Sequence, residues 1–432
     1  MRYALKQIPA LLRTPVGRAL IRDGASYRLW PVTSRLAQMH RRTLARGTRV
    51  IAVVGSLGKS TTTRAVAQVL DLPGDLTSLR NCWSAVAYAM LRIRPQQPHA
   101  VVEVGIAAPG QMGAYARVVR PDVVIVTSIA SEHNRSLGTL EITRLEKSRM
   151  VRALGAAGIA LLNGDDPNVR WMHELAPKAY TFGFGESCDV RALDLRLQWP
   201  HGTTFRVRAF GVEREVTIRL VGAKMVYPAL AALAVAHLEG VGLDEGVRRI
   251  AALPPTPGRM NPVPLANGVV VLRDDFKSTL ESIHSALDVL AEIPARRIVV
   301  LGDVSEPPGP QGPIYRAVGA RIAGIAACLI AVGGQGGVSS YRSGAREAGM
   351  RDEAIIDGGR TPRAAAEALA RVLQPGDVVL IKGRDNQMLD RVRLILAGRD
   401  VRCDIRICSV RTLMCERCPM LERGWEGLPV VK

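Results

Sequence analysis

Short apolar runs, each closed by a glycine, an acid or a turn, alternate through the first half of this chain with longer stretches whose apolar residues recur at helical spacing. Residues 51–54 (Ile-Ala-Val-Val) empty into Gly55. Residues 99–105 read as a buried strand ending in an acid, and residues 121–128 and 158–163 read as two more. Helical patterns at 85–93 and 140–154 fall between them. Strands separated by helices predict a parallel sheet with right-handed crossovers, whose ligands gather at the carboxyl ends of the strands. Alternating positions over 190–220 predict a small antiparallel ribbon. A proline-rich run at 253–262 marks a domain boundary, after which residues 269–272, 297–301, 328–332 and 377–381 predict the strands of a second α/β unit, with a helix over 280–292.

A chain of 432 residues is too long for one core and predicts two or three domains. No stretch reaches the roughly twenty apolar residues of a spanning helix, and Arg13, Arg18 and Arg22 with Pro9 and Pro15 interrupt any secretory signal, so a cytoplasmic protein is expected. Net charge is +19, and residues 1–50 hold eleven Lys or Arg against the single acid Asp23, interleaved with leucines and Trp30. Such a basic amphipathic segment suits an anionic membrane surface at the inner face, or equally a solvated arginine-rich helix. Few aromatics accompany the basic stretches, so no nucleic acid is expected as a partner. Seven cysteines form no even framework; Cys403, Cys408, Cys415 and Cys418 crowd the tail at a spacing that favours plain thiols over bound zinc.

The chemistry begins where the first strand ends. Gly55-Ser56-Leu57-Gly58-Lys59-Ser60-Thr61 is a glycine-rich loop running into a helix. Glycines let backbone N–H groups approach phosphates, Lys59 supplies a mobile cation, and Ser60 or Thr61 offers a hydroxyl to Mg²⁺. The helix start adds unpaired N–H groups and a positive dipole end. Downstream lie Glu103 at a strand end, His133 just past the next strand, and Lys147 fourteen residues later. Alone, these read as a strand cap, a loop histidine and a solvated lysine beside Glu146.

In this order and spacing, with the loop before them, they resemble the Mur ligase family, ATP-dependent enzymes that build the peptide of bacterial cell walls. The likeness runs from about Val50 to Leu396 and is strongest to the branch that adds a D-Ala-D-Ala dipeptide. Pro109-Gly110-Gln111 follows Glu103, Asn163-Gly164-Asp165-Asp166-Pro167 closes a strand, and Pro257-Gly258-Arg259 precedes the second domain. Asp274-Asp275-Phe276-Lys277, Leu301-Gly302-Asp303 and Leu380-Ile381-Lys382-Gly383 match further segments. The resemblance implies an α/β protein with a basic helical segment (1–48), a P-loop parallel-sheet ATP-binding domain (49–255), a smaller Rossmann-like ligase domain (256–400) and a cysteine-containing tail (401–432). It implies ATP held by Gly55, Ser56, Gly58, Lys59, Ser60, Thr61, Asn81, Asn163, Arg259, Asp275 and Lys277. Two Mg²⁺ ions would be held by Ser60, Glu103, His133 and a Lys147 carbamylated by CO₂; Lys59, His133 and Lys147 are the implied catalytic residues. Asp303 and Lys382 would face the incoming amine.

The implied reaction joins a small carboxylate to an amine through an acyl phosphate. Two departures bear on substrate. Where the family places asparagines near adenine, this chain has Lys224-Met225-Val226-Tyr227-Pro228, so the base is expected against Met225 and Tyr227 or bound less selectively. Only some fifty basic residues precede the loop in place of a UDP-sugar-binding domain, so an acceptor other than UDP-MurNAc-peptide is expected. A non-ligating nucleotide-binding subunit is the alternative, prompted by the lost asparagines, and a P-loop kinase or ATPase is a third.

Overall fold

The computed structural model describes residues 8–73, 81–130, 134–408 and 414–424. Two compact units divide the chain: residues 26–254, and residues 255–432 together with 1–25.

In the first unit, eight strands form one sheet: β1 (Arg49–Val54), β2 (His99–Glu103), β3 (Val123–Val126), β4 (Ile159–Asn163), β5 (Lys178–Gly183), β6 (Val190–Gln198), β7 (Gly202–Ala209) and β8 (Val212–Ile218). Their order is β2-β1-β3-β4-β5-β6-β7-β8, parallel from β2 through β6 and antiparallel thereafter. Strands covered by helices on both faces must be apolar throughout, which is why β1 reads as a continuous run. Ile51 and Val53 point into one core with Val66 and the helix Val226–Leu238, while Val50, Ala52 and Val54 enter another with Met90, Met112 and Val118. The alternating segment is indeed an antiparallel ribbon, but β5 joins it edge-on to the parallel sheet. That strand escapes a sequence reading because Lys178-Ala179-Tyr180-Thr181 is half exposed and lacks a continuous apolar run.

The helix Trp30–Arg42 packs into this unit rather than preceding it as a separate arm. Trp30 meets Trp83 and Tyr115 edge to face at 5.6 and 5.5 Å, and buried Arg41 donates to the carbonyls of Val119, Ala45, Thr48 and Arg120 and to Asp122 at 2.8 Å.

In the second unit the strands are β9 (Asn261–Pro264), β10 (Val270–Asp274), β11 (Arg297–Leu301), β12 (Cys328–Ala331), β13 (Ile355–Asp357) and β14 (Val378–Lys382), ordered β13-β12-β11-β14-β10-β9 and parallel except for β9. The strand β9 begins at the end of the proline-rich run 253–262 and extends two residues past it. Pro262 and Pro264 are tolerated there because β9 is an edge strand, whose outer side needs no donors. Helices Gln311–Ala323 and Gln335–Glu347 approach closely at two glycines: a Cβ at Gly319 would stand 2.2 Å from the Tyr341 carbonyl oxygen, and one at Gly344 1.9 Å from that of Arg316. Among the described residues no helix is long and apolar enough to cross a membrane.

Candidate active site

The loop after β1 is shaped by its neighbour β3. Gly55 has φ +144°, and a Cβ there would lie 2.0 Å from Thr127 Oγ1. Thr127 Oγ1 donates to the Leu57 carbonyl at 2.6 Å, the Leu57 amide donates to Ser128 Oγ at 3.0 Å, and the Ser56 amide to the Ser128 carbonyl at 2.7 Å. Gly58, left-handed at φ +83°, opens the helix Lys59–Val69, and no side chain caps that helix start. A fixed loop followed by uncapped N–H groups is a cradle for phosphate oxygens. Buried Lys59 sits inside it, its Nζ 2.8 Å from the carbonyls of both Gly55 and Ser56. Half-buried Ser60 and buried Thr61 occupy the first turn beside it.

Two carboxyl-side neighbours converge on this loop. Glu103 ends β2, in register with Val53. It is buried, and Oε1 accepts from Asn81 Nδ2 at 2.7 Å, yet Oε2 has no hydrogen-bond partner. A buried carboxylate oxygen left without a partner is costly unless a cation meets it, so Glu103 suits a hard divalent ion as one ligand, and the described residues hold no cluster of three His, Cys, Asp or Glu around it. Asn81, expected at the nucleotide, is placed on Glu103, and its carbonyl accepts from the Gly105 amide at 2.6 Å.

Lys147, on the helix Leu140–Val151, is fully buried and donates to Ser56 Oγ at 2.8 Å. Burial, then the nearby Lys59 ammonium, pushes its pKa well below the usual lysine range, with Asp166 opposing. A lysine held toward its neutral form is a nucleophilic amine, the form that reacts with CO₂. His133 lies outside the described residues. Asn163, at the end of β4, donates to the Thr127 carbonyl at 2.8 Å and accepts from the Asp165 amide at 3.0 Å, so it braces the loop wall.

In the second unit, the ends of β10, β11 and β14 gather the other expected residues. Lys382 is wholly buried; its Nζ lies 2.5 Å from Asp274 Oδ2 and 2.8 Å from the Lys277 carbonyl. Desolvation lowers its pKa, with Asp274 opposing. Asp275 is buried against Arg273 at 3.2 Å, in a cluster with Asp390 and Arg393. Asp303 is half-buried and clamped by Gln387, which accepts from its amide at 2.9 Å and donates to its Oδ2 at 3.3 Å. Burial raises the Asp303 pKa, while Arg384 and Arg406 hold it down. The Arg259 guanidinium stacks 4.4 Å over the Phe276 ring, behind Gly258 at φ +69°.

Comparison with known proteins gives this arrangement its relatives. Residues 53–236 match the Mur ligase middle domain, and residues 258–384 the Mur ligase, glutamate ligase domain. The UDP-N-acetylmuramoyl-tripeptide–D-alanyl-D-alanine ligase of Escherichia coli is 30% identical over 307 residues, which is 69% of this chain and 68% of that protein. The chain belongs to the Mur ligase family. The namesake ligase of Mycobacterium tuberculosis is 26% identical over 434 residues, 92% of this chain and 84% of its own length. Among solved structures, MurF from Acinetobacter baumannii superposes with a TM-score of 0.75 at 23% identity, covering 86% of this chain and 81% of that one. MurF from Thermotoga maritima, solved with ADP, gives 0.71 at 21% identity, covering 85% and 83%.

Two contributors to this Mur ligase site carry no motif of their own, and a third, Asp166, lies in the Asn163–Pro167 segment but carries no role assigned from sequence. Thr127 and Ser128 read only as the polar end of an apolar strand, but they fix the loop. Asp166 reads as part of a turn; it accepts from the Ile129 amide at 2.7 Å and faces Lys147. Near the expected base site, Met225 and Tyr227 pack against the sheet core, and the Tyr227 hydroxyl donates to Asp165 Oδ2 at 2.8 Å.

Proposed function

We propose that this chain is an ATP-dependent, ADP-forming ligase that joins a small carboxylate to an amine, using Lys59, Glu103, His133 and Lys147 at one nucleotide site. Membership of the Mur ligase family carries the reaction class. The observation that supports the residue roles is the buried, unpartnered Glu103 oxygen beside a phosphate cradle.

Water does not let a carboxylate accept an amine, so the carboxylate must first gain a good leaving group. ATP supplies one as its γ-phosphoryl group, giving an acyl phosphate that the amine opens to an amide, ADP and phosphate. The loop residues Gly55, Ser56, Gly58, Ser60 and Thr61 orient the phosphates, and Lys59 offsets charge that builds on them. Glu103, Ser60, His133 and a carbamylated Lys147 would hold two Mg²⁺ ions, which when bound neutralise phosphate and acyl oxygens. Carbamylation has a local motive: it replaces a cation crowded by Lys59 with an anion that the same lysine attracts. We assign Asn163, Arg259, Asp275 and Lys277 to nucleotide positioning and Asp303 and Lys382 to the amine. Asp275 and Lys382 would act from within their ion pairs with Arg273 and Asp274 rather than as free side chains.

Relatives named for D-alanyl-D-alanine make that dipeptide the first amine to test. We place the enzyme in the cytoplasm and read its basic segment 1–48 as touching an anionic membrane surface. Val32, Leu36 and Met39 on the helix Trp30–Arg42, with Leu29 at its N-cap, are all exposed and support that reading. The test of the ligase is phosphate release that needs both a carboxylate and an amine and collapses in Lys59→Ala and Glu103→Gln. Release independent of the amine would overturn it.

A further inference from the structure

Away from the phosphate loop, the first unit holds an open cavity of about 760 Å³. Five arginines line it: Arg42, Arg117, Arg120, Arg149 and Arg152, around Gly113. They come from three helix ends. Arg42 ends the helix Trp30–Arg42, Arg117 and Arg120 close the helix Gln111–Val119, and Arg149 and Arg152 close the helix Leu140–Val151. Arg120 and Arg152 precede β3 and β4, so the cavity lies at the amino ends of the strands, across the sheet from the loop that follows β1.

A plain reading is that these cations offset the negative ends of three helix dipoles. Magnitudes decide against that as the whole account. Each helix end carries roughly half a negative charge, and one carboxylate, Glu146, pairs with Arg149 at 3.1 Å. Together they offset about half of the five positive charges. The other four arginines pair with no carboxylate among the described residues. Repulsion would spread such side chains apart in free solution. Instead Arg117 and Arg149 converge, each with a guanidinium nitrogen within 4.0 Å of the place a Gly113 Cβ would occupy. Forked donors gathered around a residue without a side chain suit tetrahedral oxyanions.

We propose that this cavity is a binding site for phosphoryl groups, taking two or more negative charges at once. The helix that supplies Arg42 points to a source. On its solvent side Leu29, Val32, Leu36 and Met39 are 49%, 55%, 44% and 60% exposed, spaced as one stripe, and exposed Arg35 sits between that stripe and the cavity edge. Apolar side chains beside a phosphate-binding rim match a phospholipid surface with acyl chains next to headgroups. A soluble diphosphate presents the same chemistry without the apolar part. The lipid source rests on the membrane reading of segment 1–48; the phosphoryl site itself does not, nor does it rest on ligase activity.

The test uses the full chain at 0.15 M salt with saturating Mg-ADP, so that the loop after β1 is filled. Calorimetry with inorganic pyrophosphate forms one arm. Co-sedimentation with phosphatidylcholine vesicles, with and without phosphatidylglycerol, forms the other. Arg117→Gln with Arg152→Gln is compared with the charge-matched pair Arg170→Gln and Arg219→Gln, all four being exposed positions. The site predicts that the first pair weakens binding roughly tenfold or more in at least one arm while the second leaves it near wild type. Loss confined to vesicles assigns the site to headgroups, and loss of pyrophosphate binding assigns it to a soluble ligand. Equal effects of both pairs, or no binding in either arm, would overturn the proposal. Matching thermal midpoints of the two variants exclude misfolding as the cause.

Discussion

Lys147 concentrates the conflict between stability and chemistry in this enzyme. In the proposed mechanism a neutral or carbamylated nitrogen is what this position supplies, but a lysine there costs the apoprotein its hydration. Its folded pKa lies well below the ordinary 10.5, so between those two values the unfolded chain binds the extra proton. Stability therefore rises as pH climbs from the folded pKa toward 10.5. Lys147→Met is expected to abolish ligation yet raise the thermal midpoint by a few degrees, about what 1 kcal/mol gives a unit of this size. That gain should shrink as pH is raised toward 10.5, a trend that scanning calorimetry across pH would check. Glu103→Gln should lower turnover by about a hundredfold or more while leaving the midpoint unchanged or higher, since a buried charge is removed. Steady-state kinetics with a Mg²⁺ titration separates that outcome from misfolding. Spacing in the sequence points to Glu103 and Lys147, because the places proposed for them depend on where strands and helices end. It does not make Thr127 or Ser128 legible, nor the contacts of Asp166 within its segment, because these depend on which side chain a backbone amide meets across the sheet.

At the scale of elements, the loop and the paired helices both depend on glycines for geometric reasons. Gly55→Ala should disrupt nucleotide binding, since the new Cβ would collide with Thr127 Oγ1, the group that fixes the loop. Fluorescent-nucleotide titration would show weakened binding with little change in far-ultraviolet dichroism. Gly344→Ala should destabilise the second unit by about 1–3 kcal/mol, the usual cost of overpacking, because the methyl would strike the Arg316 backbone. Denaturant unfolding followed by tyrosine emission would read it, as Tyr315 and Tyr341 stack 4.4 Å apart across the same helix pair. Strands β1 to β4 were readable as apolar runs because both faces are covered. Half-exposed β5 and proline-bearing β9 were not, since edge or partial exposure removes the run that marks a strand. The helix 280–292 and the strand 297–301 emerge with the boundaries their patterns predict.

For the whole molecule, the two units each carry part of the expected chemistry at the carboxyl ends of parallel strands, the place such sheets offer for ligands. Mg-ADP at about a hundred times its dissociation constant should stabilise the chain by about 2.7 kcal/mol, against no shift in Lys59→Ala at the same concentration. The family was legible because ordered motifs span both units. The acceptor was not, because no residue pattern in these units names the acid that is activated. Ligation itself is decided by incubating the chain with ATP, Mg²⁺, D-alanyl-D-alanine and a pool of small carboxylates, with ADP and products followed together by mass spectrometry. An amide formed with one ADP and one phosphate, and lost in Lys59→Ala, is the predicted result. A phosphorylated product without an amide, or an amide formed at an undiminished rate by Lys59→Ala, would contradict it.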